Sequence, residues 1–165
     1  ENLNGHYIRE ADDARLAHIA QHRIEAKLGR QLVEAEMMLL AQAMPVVKVR
    51  AKTTIEIAEG AEFLFESRPI SLDEKASSLL DGDAVVLLGK AYDALKSQTE
   101  WELAPLEEGV KAVATEAGLG LGKVAQPLRA ALTGRGTSPG IFDVLVLLGR
   151  EESLARIEDC LARGA

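Results

Sequence analysis

Residues 121–134 read Leu-Gly-Lys-Val-Ala-Gln-Pro-Leu-Arg-Ala-Ala-Leu-Thr-Gly, and residues 135–152 continue Arg-Gly-Thr-Ser-Pro-Gly-Ile-Phe-Asp-Val-Leu-Val-Leu-Leu-Gly-Arg-Glu-Glu. Leu121, Val124, Leu128 and Leu132 recur at helical spacing. Pro127 is expected to bend that helix and Gly134 to end it. Ser138 is expected to cap the next helix, with Pro139 in its first position and Gly149 closing it. Two short helices joined by a Gly- and Pro-punctuated turn set the pattern for the whole chain.

Working outward, the helical period persists in both directions. Leu154, Ile157 and Leu161 are expected to face the core from the last helix. Toward the N-terminus, Leu106, Val110, Val113 and Ala117 mark a helix starting near Pro105 and ending at Gly118 and Gly120. Another helix runs from about Ala84 to Ser97, with Asp83 as its cap. Ser71 with Glu74 matches a capping box. Val46 to Ala58 reads as helix, weakened by Thr53 and Thr54. Pro45 is expected to stop one helix or open another, and Gly29 to break an earlier stripe that starts at Leu16. No run alternates as a strand. The expected fold is all-α: two consecutive small helical domains, split at the Asp81-Gly82-Asp83 turn. The boundaries expected are 1–15 for a linker, 16–81 for the first domain and 82–165 for the second.

Composition agrees with helix on helix. Hydrophobic residues make up 47% of the 165, but aromatics only 4%, so Leu, Val, Ile and Ala must build the core. The chain opens at Glu1 rather than Met, and is expected to be a piece of a longer protein. Cys160 is the only cysteine, which excludes a disulfide within the chain and fits a reducing cytoplasm. No apolar run is long enough to span a bilayer, so no membrane is expected.

The net charge of −7 argues against a generally cationic nucleic-acid binder. The distribution is more telling. Residues 45–53 carry Lys48, Arg50 and Lys52 with no acid. Residues 121–150 carry Lys123, Arg129, Arg135 and Arg150 against Asp143 alone. Two basic islands in an acidic chain suit a local anionic ligand rather than a sheath around duplex DNA.

No catalytic site and no metal site is expected. Gly118 to Lys123 has the wrong spacing for a phosphate-binding loop, with Val124 where a hydroxyl residue belongs, so a helix stop and restart is the better reading. His18 and His22 stand one turn apart, but no third ligand accompanies them. The paired acids Glu107-Glu108 and Glu151-Glu152 sit in first turns of helices, where they complement the dipole.

Gln126-Pro127-Leu128-Arg129, Ala131-Leu132-Thr133-Gly134, Ser138-Pro139-Gly140-Ile141-Phe142 and Leu148-Gly149-Arg150-Glu151 occur in the order and spacing of one family. The segment resembles the C-terminal region of bacterial glutamyl-tRNA synthetases. Asn4 to Arg9, Val47 to Thr53 and Asp73 to Ala76 also resemble that family, so the likeness extends over essentially the whole chain. It implies two helical anticodon-binding domains of the α-helix cage type, following a linker where the stem-contacting region ends. It also implies that ATP, Mg2+ and glutamate bind in a catalytic domain before residue 1. The chain alone is then expected to need no cofactor and to be inactive, within a cytoplasmic parent glutamate–tRNA ligase. Its implied partner is tRNA(Glu), bound by a monomer.

The resemblance carries over site residues as well. Arg50 matches the position that reads the third anticodon base. Glutamate anticodons end in C, whose N3 and O2 accept from a guanidinium. Glutamine anticodons end in G, whose N–H donors would leave Arg facing unpaired groups at a cost of roughly 1–3 kcal/mol. Arg129 matches the contact to the first base, with Ile141 packing beside it. Ser138 and Pro139 match the contacts to the middle base, where a helix start would offer free N–H groups. Lys48, Lys52, Lys123 and Arg135 are candidate phosphate contacts. The plain alternatives are a solvated helix arginine at 50 and an inter-helix salt bridge at 129. Two rival functions stand beside this one. One is a synthetase that also, or only, charges glutamine tRNA. The other is a helical protein-interaction module with no RNA role, for which the acidic balance is the best support.

Overall fold

The computed structural model describes residues 3–164. The first two residues of the expected 1–15 linker and the last of the expected second domain therefore lie outside it. Every regular element among the described residues is helical. The helices are α1 (Leu3–Glu10), α2 (Asp13–Leu28), α3 (Glu34–Val47), α4 (Thr54–Ala61), α5 (Glu74–Ser78), α6 (Gly82–Lys96), α7 (Leu103–Glu116), α8 (Leu121–Thr133), α9 (Ile141–Leu148) and α10 (Arg150–Arg163). A short 3-10 turn, Glu62–Phe65, follows α4.

The chain separates into two compact units, residues 1–66 and 67–165. The division falls earlier than the Asp81–Asp83 turn because residues 67–81 belong to the second unit. There the Asp73 N–H donates to the Gly134 carbonyl at 2.9 Å, and Arg163 donates to the Ile70 carbonyl at 2.9 Å. A Cβ on Gly134 would stand 2.0 Å from the Ser71 carbonyl oxygen, so the segment lies directly against the end of α8.

In the first unit α2 packs on α3 and α4. Leu16, Ala20, Ile24, Leu40, Met44 and Ile57 are fully or almost fully buried there, and each large aliphatic side chain contributes about 1.5–3 kcal/mol on leaving water. In the second unit α6 packs on α7, α8 and α10, while α9 closes against α7, α8 and α10. Leu88, Leu95, Leu106, Leu128, Leu132, Leu145 and Ile157 form its centre. Phe63, Leu64 and Phe65 are buried, as their apolar run suggests.

Several helix boundaries differ from the sequence reading. Pro45 lies inside α3, close to its end. The expected helix from Val46 to Ala58 is broken by a turn at 48–53. Thr53 restarts the chain: its Oγ accepts the Glu56 N–H at 3.1 Å, and the Glu56 carboxylate takes the Lys52 N–H at 2.7 Å. These reciprocal bonds satisfy free donors that a continuous helix would not have. Asp73, not Ser71, caps α5, through its bond to the Ala76 N–H at 2.7 Å. Asp81, not Asp83, occupies the cap position of α6, and α7 begins two residues before Pro105. The last helix is rotated from the expected face: Ser153, Arg156, Ile157 and Cys160 are buried, because Arg156 turns inward to meet α8.

Candidate anticodon interface

In the first unit, the 48–53 turn presents the first basic island. Arg50 is exposed, and its N–H donates to the Val47 carbonyl at 3.4 Å. It is a turn residue rather than a helix residue, which corrects the plain alternative stated for it. The turn is held from both sides. Lys48 Nζ stands 2.6 Å from Asp13 Oδ1 and donates to the Ala11 carbonyl at 3.3 Å. Lys48 therefore ties α3 to the start of α2, and its ammonium is engaged by protein rather than offered to a phosphate. Lys52 is exposed, with its backbone fixed by Glu56.

In the second unit, the 134–140 segment carries the second island. Gly134 ends α8 with φ 70°, the left-handed region that glycine adopts without penalty. Thr133 is fully buried; its hydroxyl donates to the Arg129 carbonyl at 2.8 Å and accepts the Arg135 N–H at 3.2 Å. Lys75 lies along Gly136. Arg129 Nε donates to Ser138 Oγ at 3.0 Å, and Ser138 Oγ donates to the Pro139 carbonyl at 2.7 Å. Arg129 and Ser138 are thus brought together, and Pro139 and Ile141 are buried.

One expectation needs correction here. Ser138 is not a helix cap: α9 begins at Ile141, and Gly140 stands at the cap position without a side-chain bond. The first turn of α9 holds Asp143, whose Oδ2 would stand 2.9 Å from a Cβ on Gly140. A carboxylate over that helix start disfavours a phosphate and suits a donor such as a base N–H. Lys123 is exposed. It lies in the first turn of α8, six residues before Arg129, which places it about 9 Å back along the axis and roughly 120° round it. Arg135 is half-buried and donates to the Gly134 carbonyl at 3.3 Å.

Other arginines of the motif-bearing region have a structural task. Arg150 donates to the carbonyls of Lys96, at 2.6 Å, and Gln98 at the end of α6. Its guanidinium also stands 5.9 Å from the centre of the Trp101 ring. Trp101 in turn donates to the Leu145 carbonyl at 2.7 Å. Arg156 is only 1% exposed; it donates to the Leu132 carbonyl at 2.8 Å and pairs with Glu152 at 2.8 Å. Arg156 lies outside every sequence motif considered above, so only its helical register marks it.

A family model described as "Anticodon binding domain" matches residues 15–161. The chain belongs to that family. Two curated relatives carry the name glutamate–tRNA ligase. One, from Rhizorhabdus wittichii, is 59% identical over 161 residues, covering 98% of this chain and 34% of that protein. The other, from Erythrobacter litoralis, is 59% identical over 157 residues, covering 95% and 31%. The chain therefore spans about a third of the length of the curated relatives it matches. A crystal structure of a glutamate tRNA ligase from Elizabethkingia meningosepticum superimposes with a TM-score of 0.76 at 24% identity. It covers 98% of this chain and 31% of that one, and at this identity it bears on the fold alone. Among the described residues no group of His, Cys, Asp and Glu is arranged to hold a metal, and no helix is long and apolar enough to cross a membrane.

Proposed function

We propose that these residues are the anticodon-reading part of a glutamate–tRNA ligase. The whole enzyme would attach glutamate to tRNA(Glu) with ATP and Mg2+ in a separate catalytic domain, as a cytoplasmic monomer. The observation that carries this reading is the near-complete cover of the chain by relatives named glutamate–tRNA ligase at 59% identity. The site geometry supports it. An anticodon loop offers splayed bases to precise donors and asks for few phosphate contacts. An exposed turn with Arg50, and a half-buried Arg129 on α8 bonded to Ser138, meet that demand better than a cationic face would.

In this reading Arg50 meets the third base. Arg129 meets the first, with Ile141 as its apolar floor. Ser138 and Pro139 meet the middle base, with Asp143 as a further acceptor. Lys52, Lys123 and Arg135 are the phosphate contacts left on this reading, since Lys48 is committed to Asp13. An interaction module without an RNA role has only the acidic balance in its favour.

The test is aminoacylation by the full-length ligase on tRNA(Glu) and on its variant with G as third anticodon base. Arg50→Gln is expected to shift the kcat/KM ratio toward the G variant by about tenfold, the loss of one guanidinium contact set against relief of unpaired guanine donors. An unchanged ratio would remove Arg50 from the reading.

A further inference from the structure

Lys75 and Gly136 are far apart in the sequence and lie against each other in the second unit. A Cβ on Gly136 would stand 2.5 Å from both Cγ and Cδ of Lys75 and 3.1 Å from its Cβ. Three consecutive carbons of the lysine stem therefore occupy the space that any other residue at 136 would fill. The Gly136 backbone lies outside the left-handed region, so its angle does not call for glycine. The missing side chain makes room for the lysine instead. The approach is fixed by backbone on either side of Lys75. The Asp73 N–H donates to the Gly134 carbonyl at 2.9 Å, and the Asp73 carboxylate accepts the Ala76 N–H at 2.7 Å as α5 begins.

The stem is held, but the charge is not spent. Lys75 is exposed, and among the described residues its ammonium meets no carboxylate or carbonyl. Gly136 stands next to Arg135 and two residues before Ser138, to which Arg129 is bonded. Lys75 thus adds a cation to the second basic island from a stretch, Asp73-Glu74-Lys75, that reads as acidic along the chain. A lysine loses rotamer entropy when a ligand orders it, and a stem already laid in a slot has lost much of it on folding. Resting on the anticodon reading proposed above, we infer that Lys75 contacts a backbone phosphate of the bound RNA, placed there by the absence of a side chain at Gly136. An ammonium is a point charge that suits a phosphate oxygen and reads no base.

The test is tRNA(Glu) binding by the full-length ligase, measured from about 50 to 200 mM salt. Lys75→Met keeps an apolar stem over Gly136 and removes the charge. It is expected to lower the slope of log Kd against log salt by about 0.7–0.9, the release of one counterion. The loss of affinity is expected to be the same factor for tRNA(Glu) and for its third-base G variant, because a phosphate carries no sequence. Gly136→Ala forces the stem from its slot. It is expected to lower the slope by a similar amount with Lys75 present and to leave it unchanged in the Lys75→Met protein. A stem that only covers Gly136 would move the melting temperature and not the salt slope. An unchanged slope for Lys75→Met overturns the inference, as does a Gly136→Ala effect that is the same with and without the Lys75 charge. The anticodon reading fails on a different observation. Wild-type ligase that binds tRNA(Glu) and the G variant alike would sink that reading, while the Lys75 slope still decides the phosphate contact.

Discussion

Changing Gly134 to Ala isolates the contact on which the second basic island is built. Gly134 and Gly118 share the same backbone angle, φ 70°. Alanine in that left-handed region costs about 1 kcal/mol at either position. The surroundings differ sharply. Nothing lies within 4 Å of a Cβ on Gly118, whereas a Cβ on Gly134 would stand 2.0 Å from the Ser71 carbonyl oxygen. Backbone must therefore move by more than an ångström at 134. That movement also breaks the bond from Asp73 N–H to the Gly134 carbonyl, now 2.9 Å long, worth about 1 kcal/mol. The expected cost is about 1 kcal/mol for Gly118→Ala and about 3 kcal/mol for Gly134→Ala, from the sum of strain, lost bond and displaced segment. Urea unfolding of the two variants, followed by a probe in the second unit, measures the difference. Because the left-handed penalty is common to both, the difference reports the Ser71 clash together with the Asp73 bond and the segment it displaces. Equal costs within about 0.5 kcal/mol would refute the reasoning.

Arg156→Met keeps much of the side-chain volume but leaves the Leu132 carbonyl without its buried donor; a loss of about 2–3 kcal/mol is expected in the same urea experiment, and less than about 0.5 kcal/mol would count against the cap. Acid is expected to weaken the first unit through Glu36. The Arg30 guanidinium at 2.8 Å, helped by the Val33 N–H, holds the Glu36 carboxyl below the usual range. A carboxyl lowered in the folded state contributes stability above its ordinary pKa and loses it as pH falls through the folded value. Melting curves from neutral pH into acid should therefore fall less steeply for Glu36→Gln than for the wild-type protein, and parallel curves would rule the pair out as a contributor.

Helical class and most helix centres were legible in the sequence because apolar residues at 3.6 spacing leave no other face to bury. Leu106, Val110 and Val113, marked by spacing alone, are buried. Helix starts were less legible, for a definite reason. Several polar residues compete to cap within a few positions, and tertiary contacts choose among them. Ser71 lies with its carbonyl against Gly134, and it is Asp73, two residues on, that caps α5. Thr53 and Thr54 read as a weak helix interior, yet Thr53 is the cap that creates the exposed turn carrying Arg50. Ser138 read as a cap too, but its hydroxyl is taken by Arg129 and the Pro139 carbonyl. In each case the residue type was a capping type, and its place within the neighbouring few residues was what the pattern left open.

The arginines show the same division and sharpen the candidate site. A guanidinium is attracted equally to helix C-terminal carbonyls, to carboxylates and to nucleic acid, so charge along the chain cannot separate them. The structure separates them by what they meet. Arg150 and Arg156 close the ends of α6 and α8, and Arg163 holds the 67–81 segment through Ile70. Removing any of these would damage binding only by loosening the unit. Arg50 and Arg129 stand instead on segments whose backbone is already fixed by others: Thr53 and Glu56 for one, Thr133 and Gly134 for the other. These are the two guanidiniums that the anticodon reading proposed above assigns to bases. The basic islands of an acidic protein therefore do not act as two uniform patches. Each has its own scaffold, the Thr53 cap beside Arg50 and the Gly134 helix end beyond Arg129, and on the proposed reading it is that scaffold that would hold a guanidinium precisely enough to tell one base from another.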